Sequence, residues 1–269
     1  MNKGSKPSVC IFIGQAAAVI DATLYAFCIG RWLNRSITIH FGKAGVRSHD
    51  NAHALLTDFL KHGGDWLSKR GHRPPYYVYS FENPDKSDEQ ESFGGLHVHI
   101  LLHVPRDEWK PFVRFERRWI KRAVKEAGGR YQRGVLVDGP VFFCAEFMRG
   151  IASLSDYIEE GLLGSLLYLL KGGEAGTPAL LGLDEEAVKR LPPRLQPSPQ
   201  GIIFGKRVGF SEALSRQRHV FPLLEIRPGM WMAGREAHSR ATLRMFGLQF
   251  ASRPLSYPAL AVYEAEQRI

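Results

Sequence analysis

The stretch Gly95-Leu96-His97-Val98-His99-Ile100-Leu101-Leu102-His103-Val104 decides how the chain is read. Over Leu96–Val104 it reads as a strand, and strand side chains alternate between two faces. Leu96, Val98, Ile100 and Leu102 then point to a core, while His97 and His99 share the other face. Two positions apart, their backbones lie roughly 7 Å from each other, close enough to hold one cation between the imidazoles. His103 has the same parity but lies roughly 13 Å beyond His99, too far for the same ion. The competing reading is a pair of strand histidines that bind nothing.

Upstream, Pro74-Pro75 stops a helix and launches a strand over Tyr76–Glu82 (YYVYSFE). A polar connection, Asn83 to Gly95, joins it to the histidine strand. Antiparallel pairing of the two would bring the end of the first beside the start of the second, setting Glu82 opposite His97. Two imidazoles and one carboxylate with open positions form a three-ligand arrangement for a divalent cation. Glu91, inside the connection, is the competing carboxylate; a solvated strand-end acid is the alternative for Glu82.

Further out, Ser36–Phe41 (SITIHF) alternates strictly, with Ile37, Ile39 and Phe41 on one side and Ser36, Thr38 and His40 on the other. Ser48–Arg70 has helical spacing, with Gly63-Gly64 expected to break or bend it. Asp107–Ala127 is a helix with seven basic and four acidic residues. Its apolar stripe, Trp109, Phe112, Phe115, Trp119 and Val124, is expected to face the sheet and leave the arginines in solvent. Val135–Val137 and Val141–Phe147 flank Asp138-Gly139, a preferred hairpin dipeptide. A helix over about Ser155–Lys171 closes the series. The order β-α-β-β-α-β-β-α predicts an α+β fold: an antiparallel central sheet with helices on one face and the other face open.

Within that last helix, Leu163, Leu166, Leu167 and Leu170 form the buried stripe. Gly161, Gly164, Ser165, Tyr168 and Lys171 occupy the opposite side. Small neighbours leave the Tyr168 hydroxyl accessible, and Lys171, one turn on, can reach the same phosphate or lower the phenol's proton affinity. A boundary tyrosine between core and solvent is the plain alternative, and Tyr157, three turns earlier, is the second candidate nucleophile.

The remaining composition sets limits. The 269 residues, 44% of them apolar, can bury a core without staples. Three widely spaced cysteines fit neither a disulfide framework nor a CxxC zinc site, which places the chain in a reducing, cytoplasmic compartment. A net charge of +9 favours a polyanionic partner, nucleic acid ahead of an anionic membrane surface. Lys3 and Lys6 before an apolar stretch superficially resemble a secretion signal. An amphipathic helix over about Gln15–Leu33 accounts for it better, and Gln15 and Asp21 make it too polar for a membrane span. The expected organisation is an N-terminal helical segment (1–33), a main domain (34–172) and a C-terminal extension (173–269) that forms an appendage or packs back onto the domain. Lys206-Arg207 and Arg216–Arg218 in that extension are either DNA contacts or solubilising charge. No GxxxxGK[ST] phosphate loop is present.

Together, Ile37-Thr38-Ile39-His40, His97-Val98-His99 and Tyr168-Leu169-Leu170-Lys171 resemble, in order and content, the three motifs of the HUH endonuclease superfamily. The likeness covers about residues 34–172 and is nearest to single-tyrosine rolling-circle replication initiators. It implies an RRM-like HUH fold whose open sheet face takes single-stranded DNA at an origin or hairpin. Mg²⁺ or Mn²⁺ would sit on His97, His99 and Glu82, with Tyr168 as nucleophile and Lys171 as its phosphate or tyrosine partner. Thr38, His40 and His103 would be DNA contacts on the open face. The implied activity is a nickase and strand transferase with a 5′-phosphotyrosine intermediate, acting in rolling-circle replication or mobile-element mobilisation alongside host replication machinery. The alternatives are a single-stranded nucleic-acid-binding module without catalysis and a metal-dependent hydrolase acting through water.

Overall fold

Alternating apolar residues in three neighbouring strands build the centre of the fold. The computed structural model describes residues 6–84, 95–141 and 162–215. In it β2 (Arg35–His40), β3 (Tyr77–Glu82) and β4 (His97–Leu102) lie with β4 in the middle. Both pairings are antiparallel, with Ile37 and Tyr79 opposite Ile100 and with Ile39 and Phe81 opposite Val98. β5 (Leu136–Pro140) flanks β2, and β7 (Val208–Phe210) flanks β3, giving a five-stranded sheet in the order β5-β2-β4-β3-β7. The short strands β1 (Pro7–Ser8) and β6 (Ile203–Phe204) pair separately.

One face of the sheet is covered by helices. After the single turn α2 (Phe41–Ala44), α3 (His49–Ser68) starts at Ser48, whose hydroxyl accepts from the Asn51 amide. Its Leu55, Leu56 and Phe59 join Ile37, Ile39, Val98 and Ile100 in one buried cluster. α4 (Trp109–Glu126) adds Phe112, Trp119, Ile120 and Val124. Each fully buried side chain of this size contributes about 1.5–3 kcal/mol, which fixes both helices on the sheet. The basic residues of α4 face solvent, as its stripe requires.

Two sequence expectations give way here. α3 runs without a break through Gly63-Gly64, because Gly64 is where Pro75 packs against the helix: a Cβ there would lie 3.1 Å from Pro75 Cγ. Asp138-Gly139 makes no turn. It lies inside β5, where Arg35 and Arg117 each hold the Asp138 carboxylate at 3.0 Å in an extended chain. The expected second arm, Val141–Phe147, lies outside the described residues apart from Val141.

The face opposite the helices is also not open along its centre. Val78, Ser80, Glu82, His97, His99 and Leu101 are all buried. Val78 and Leu101 are apolar residues on the polar side of their strands, and their removal from water favours enclosure.

The chain divides into two compact units. The first comprises residues 1–11, 33–139 and 199–213, so part of the C-terminal stretch belongs to the sheet unit. The second comprises residues 12–32, 140–198 and 214–269. Its described part contains α1 (Ile13–Cys28), shorter than the expected 15–33, and α5 (Leu163–Leu169), α6 (Thr177–Leu180) and α7 (Glu185–Lys189). Glu174 accepts from the first amide of α1 at 2.7 Å, and Asp184 caps α7 through the Ala187 amide. Among the described residues, no helix is long and apolar enough to cross a membrane.

Candidate metal centre

Register alone brings the centre together. On the face away from α3 and α4, β4 sets His97 between His40 on β2 and Glu82 on β3, and His99 between Thr38 and Ser80. Glu82 lies opposite His97, as the hairpin argument expects. Its Oε2 is 3.2 Å from His97 Nε2 and 3.4 Å from His99 Nε2, and the two Nε2 atoms are 2.9 Å apart. Glu82, His97 and His99 are 0%, 6% and 3% exposed. All three sit on strands, so the β-ladder holds their backbones in place.

The far side of each imidazole is also committed. His97 Nδ1 donates to the Gly95 carbonyl at 2.6 Å, so in the neutral ring the lone pair is on Nε2, beside Glu82 and His99. His99 Nδ1 lies 2.8 Å from Thr38 Oγ1, which can take its proton and free Nε2 in the same way. This is the outer-shell pattern of histidines that bind metals.

The spacing of the donors provides a test of fit. Neighbouring ligands of an octahedral cation with bonds of about 2.1 Å lie about 3.0 Å apart. The three donor–donor distances, 2.9, 3.2 and 3.4 Å, match one triangular face of such a shell. Burying an ionised carboxylate is costly, and a cation beside it offsets that cost. The cluster can therefore hold a divalent metal ion.

His40 is the near neighbour that does not join. Its ring centroid is 4.9 Å from that of His97. Burial, reinforced by the nearby His97, Lys43 and His99, pulls its pKa down to about 4, so it is neutral near pH 7.

The other expected site residues fall elsewhere. Thr38, expected as a DNA contact, is buried and faces His99, so its place is that of an outer-shell partner. His103 lies past the end of β4, edge-on to Tyr76, in a small recess with Phe59, Gly63 and Phe112, and is separate from the trio. Tyr168 is in the second unit, half-buried on α5, with Leu163, Leu166 and Leu167 buried on the opposite side. Lys171 lies just beyond that helix with its Nζ 4.3 Å from the centre of the Tyr168 ring, so the YxxK pair does meet. Glu91 and Tyr157 lie outside the described residues, as do Arg216–Arg218. Arg207 is no surface contact: it is 1% exposed.

A second group, His72 with Asp107 and Glu108, also has its donor atoms near one another. There Glu108 already pairs with Arg70 at 3.2 Å, and Arg70 stacks on Trp66, so a fixed cation occupies that corner.

No family model matches the chain, and no curated protein and no solved structure matches it.

Proposed function

We propose that the chain is a metal-dependent, site-specific single-stranded DNA nickase and strand transferase of the HUH type, acting in rolling-circle replication or mobile-element mobilisation. The observation that carries this reading is the Glu82–His97–His99 triangle, with both imidazoles oriented from behind. The Tyr168–Lys171 contact and the net charge of +9 support it. When bound, Mg²⁺ or Mn²⁺ supplies charge neutralisation at the scissile phosphate.

The chain's own residues supply the rest. The Tyr168 phenol oxygen attacks phosphorus, the bond to the 3′ oxygen breaks, and the departing 3′-hydroxyl takes up a proton as the phenol loses one. The downstream strand stays on the enzyme as a 5′-phosphotyrosine, which conserves the bond for rejoining. Lys171, over the phenol ring, favours the developing phenolate and the phosphate charge.

Incubation of the protein with end-labelled single-stranded oligonucleotide pools and Mn²⁺, beside EDTA and Tyr168→Phe controls, tests this. An SDS-stable protein–DNA species carrying the downstream fragment, absent from both controls, is expected. Cleavage without that species moves the chemistry to water. Binding without cleavage across diverse pools leaves a single-strand-binding module.

The burial of all three ligands favours one second reading, a cation that braces the sheet without turnover. Under it, metal removal lowers the melting temperature and no pool is cut.

A further inference from the structure

Arg207 is a fully buried guanidinium, among the most enclosed large side chains of the protein, and the metal cluster does not include it. Its bonds tie together segments far apart in sequence. Nη2 donates to the Ser8 and Gly201 carbonyls, the latter at 2.8 Å, and Nε donates to Ser8 Oγ at 3.1 Å. Burial lowers its pKa to about 10, opposed by the attraction of nearby Cys10 and Glu82, so it stays charged at neutral pH.

What it anchors lies against the ligand strand. β7 pairs with β3 only from Val78 to Ser80, so the ladder stops two residues before Glu82. Beyond that point the outer edge of β3 is held by other means. The Phe81 amide donates to the Arg207 carbonyl at 2.7 Å. Asn83 is gripped by residues 200–202: its carbonyl accepts from the Gly201 amide at 2.6 Å, and its amide donates to Gln200 Oε1 at 3.2 Å. Glu82 thus lies between two residues strapped to 200–207, and the Arg207 side chain fastens the strap to β1.

We propose that Arg207 is a positioning residue for the metal centre: by pinning residues 200–202 to β1 it holds the end of β3 so that the Glu82 carboxylate stays beside His97 and His99. A planar fork bonding two carbonyls and a hydroxyl is a task for arginine that a lysine ammonium cannot reproduce. The inference rests on the metal reading above, and supporting groups of this kind change metal affinity by about 10–100-fold.

Titration of the full-length protein with Co²⁺, followed by its visible absorption, separates the two ideas. Wild type should bind one equivalent, and Glu82→Gln should lose most of that affinity. Arg207→Met should bind about 10–100-fold more weakly, with altered band positions that report a changed ligand geometry. Arg207→Lys, which keeps the charge, should not recover the wild-type spectrum. In the Glu82→Gln background, Arg207→Met should cost less than about twofold more, because its effect passes through that carboxylate. Should Arg207→Met fail to fold, Gln200→Ala loosens the same strap without touching the buried charge, and a several-fold weakening is expected.

Wild-type affinity and spectrum in whichever of Arg207→Met and Gln200→Ala folds overturns the proposal and leaves the metal centre standing. Tighter binding in Arg207→Met overturns it as well, since the arginine would then act as a charge repelling the cation. Additive losses in the double variant have the same force. Failure of wild type to bind Co²⁺ through Glu82 overturns the metal centre, and the proposal with it.

Discussion

Thr38 Oγ1 lies 2.8 Å from His99 Nδ1, and the two residues are direct cross-strand partners on β2 and β4. Where the hydroxyl accepts, Nδ1 carries the proton and Nε2 is free, so a residue with no metal contact helps decide whether His99 can be a ligand. Thr38→Val keeps the shape and removes the acceptor. It should weaken Mn²⁺ binding by about tenfold, while Thr38→Ser should stay within about threefold of wild type. Titration followed by the Mn²⁺ spin-resonance signal distinguishes them, and equal affinities would remove the tautomer role from Thr38.

A cation that binds the folded cluster and not the unfolded chain stabilises the fold by mass action. Mn²⁺ at 100 times its dissociation constant should add about 2.7 kcal/mol and raise the melting temperature by several degrees. His97→Ala should abolish the increment. An equal rise in that variant would place the ion elsewhere on the protein.

Tyr168→Phe deletes only the phenol oxygen. It should eliminate the covalent DNA species while leaving Mn²⁺ affinity within about twofold, since the phenol is not one of the three ligands. Lys171→Gln should slow formation of the species by about 10–100-fold without removing it. Full activity of Tyr168→Phe would shift attention to Tyr157.

A pH dependence follows from the opposite side of the sheet. Burial, only partly offset by Arg35, raises the Glu116 pKa to about 8. Glu116 therefore binds its proton more tightly in the folded state, and its stability contribution is complete below pH 4.5 and lost as pH rises through about 8. Burial also works against the Asp138 carboxylate, but the Arg117 hydrogen bond and charge win and carry its pKa below the usual value; its contribution is lost only in acid. Each tenfold gain in proton affinity on folding is worth about 1.36 kcal/mol, so Glu116 should favour the fold at pH 5 over pH 8.5 by roughly 3–5 kcal/mol in urea unfolding, opposed by His40, whose lowered pKa costs stability at pH 5. Glu116→Gln should flatten most of that difference, and an unchanged slope would mean Glu116 is ionised in the folded protein.

Much of the centre could be read in advance because strands report their faces directly. The alternation in LHVHILL and the placement of Glu82 at the end of YYVYSFE were enough to pair Glu82 with His97. The Asp138-Gly139 turn failed because local propensity was overridden by two arginines, Arg35 and Arg117, far away in sequence. Gly63-Gly64 does not break α3, for a related reason: small residues also mark places where another segment must come close, here Pro75. The open face failed although Val78 and Leu101 were visible signals against it. Parity also identified Thr38, but could not tell a hydroxyl aimed at a neighbouring imidazole from one aimed at solvent. Arg207 looked like surface charge because nothing local predicts that a guanidinium will be enclosed by backbone segments so distant in sequence.

The strap around β3 also has a consequence for the order in which the protein is made. Ser8 and Ile203 bond across 195 positions of chain, and Arg207 closes the same long loop. Loop closure over such separations is entropically expensive and slows folding. A nascent chain that has emerged only through β5 already contains all three ligands, yet lacks the piece that steadies Glu82. Synthesis therefore delivers the ingredients of the centre first and their fastening about a hundred residues later, so metal capture during translation should trail the appearance of the histidines.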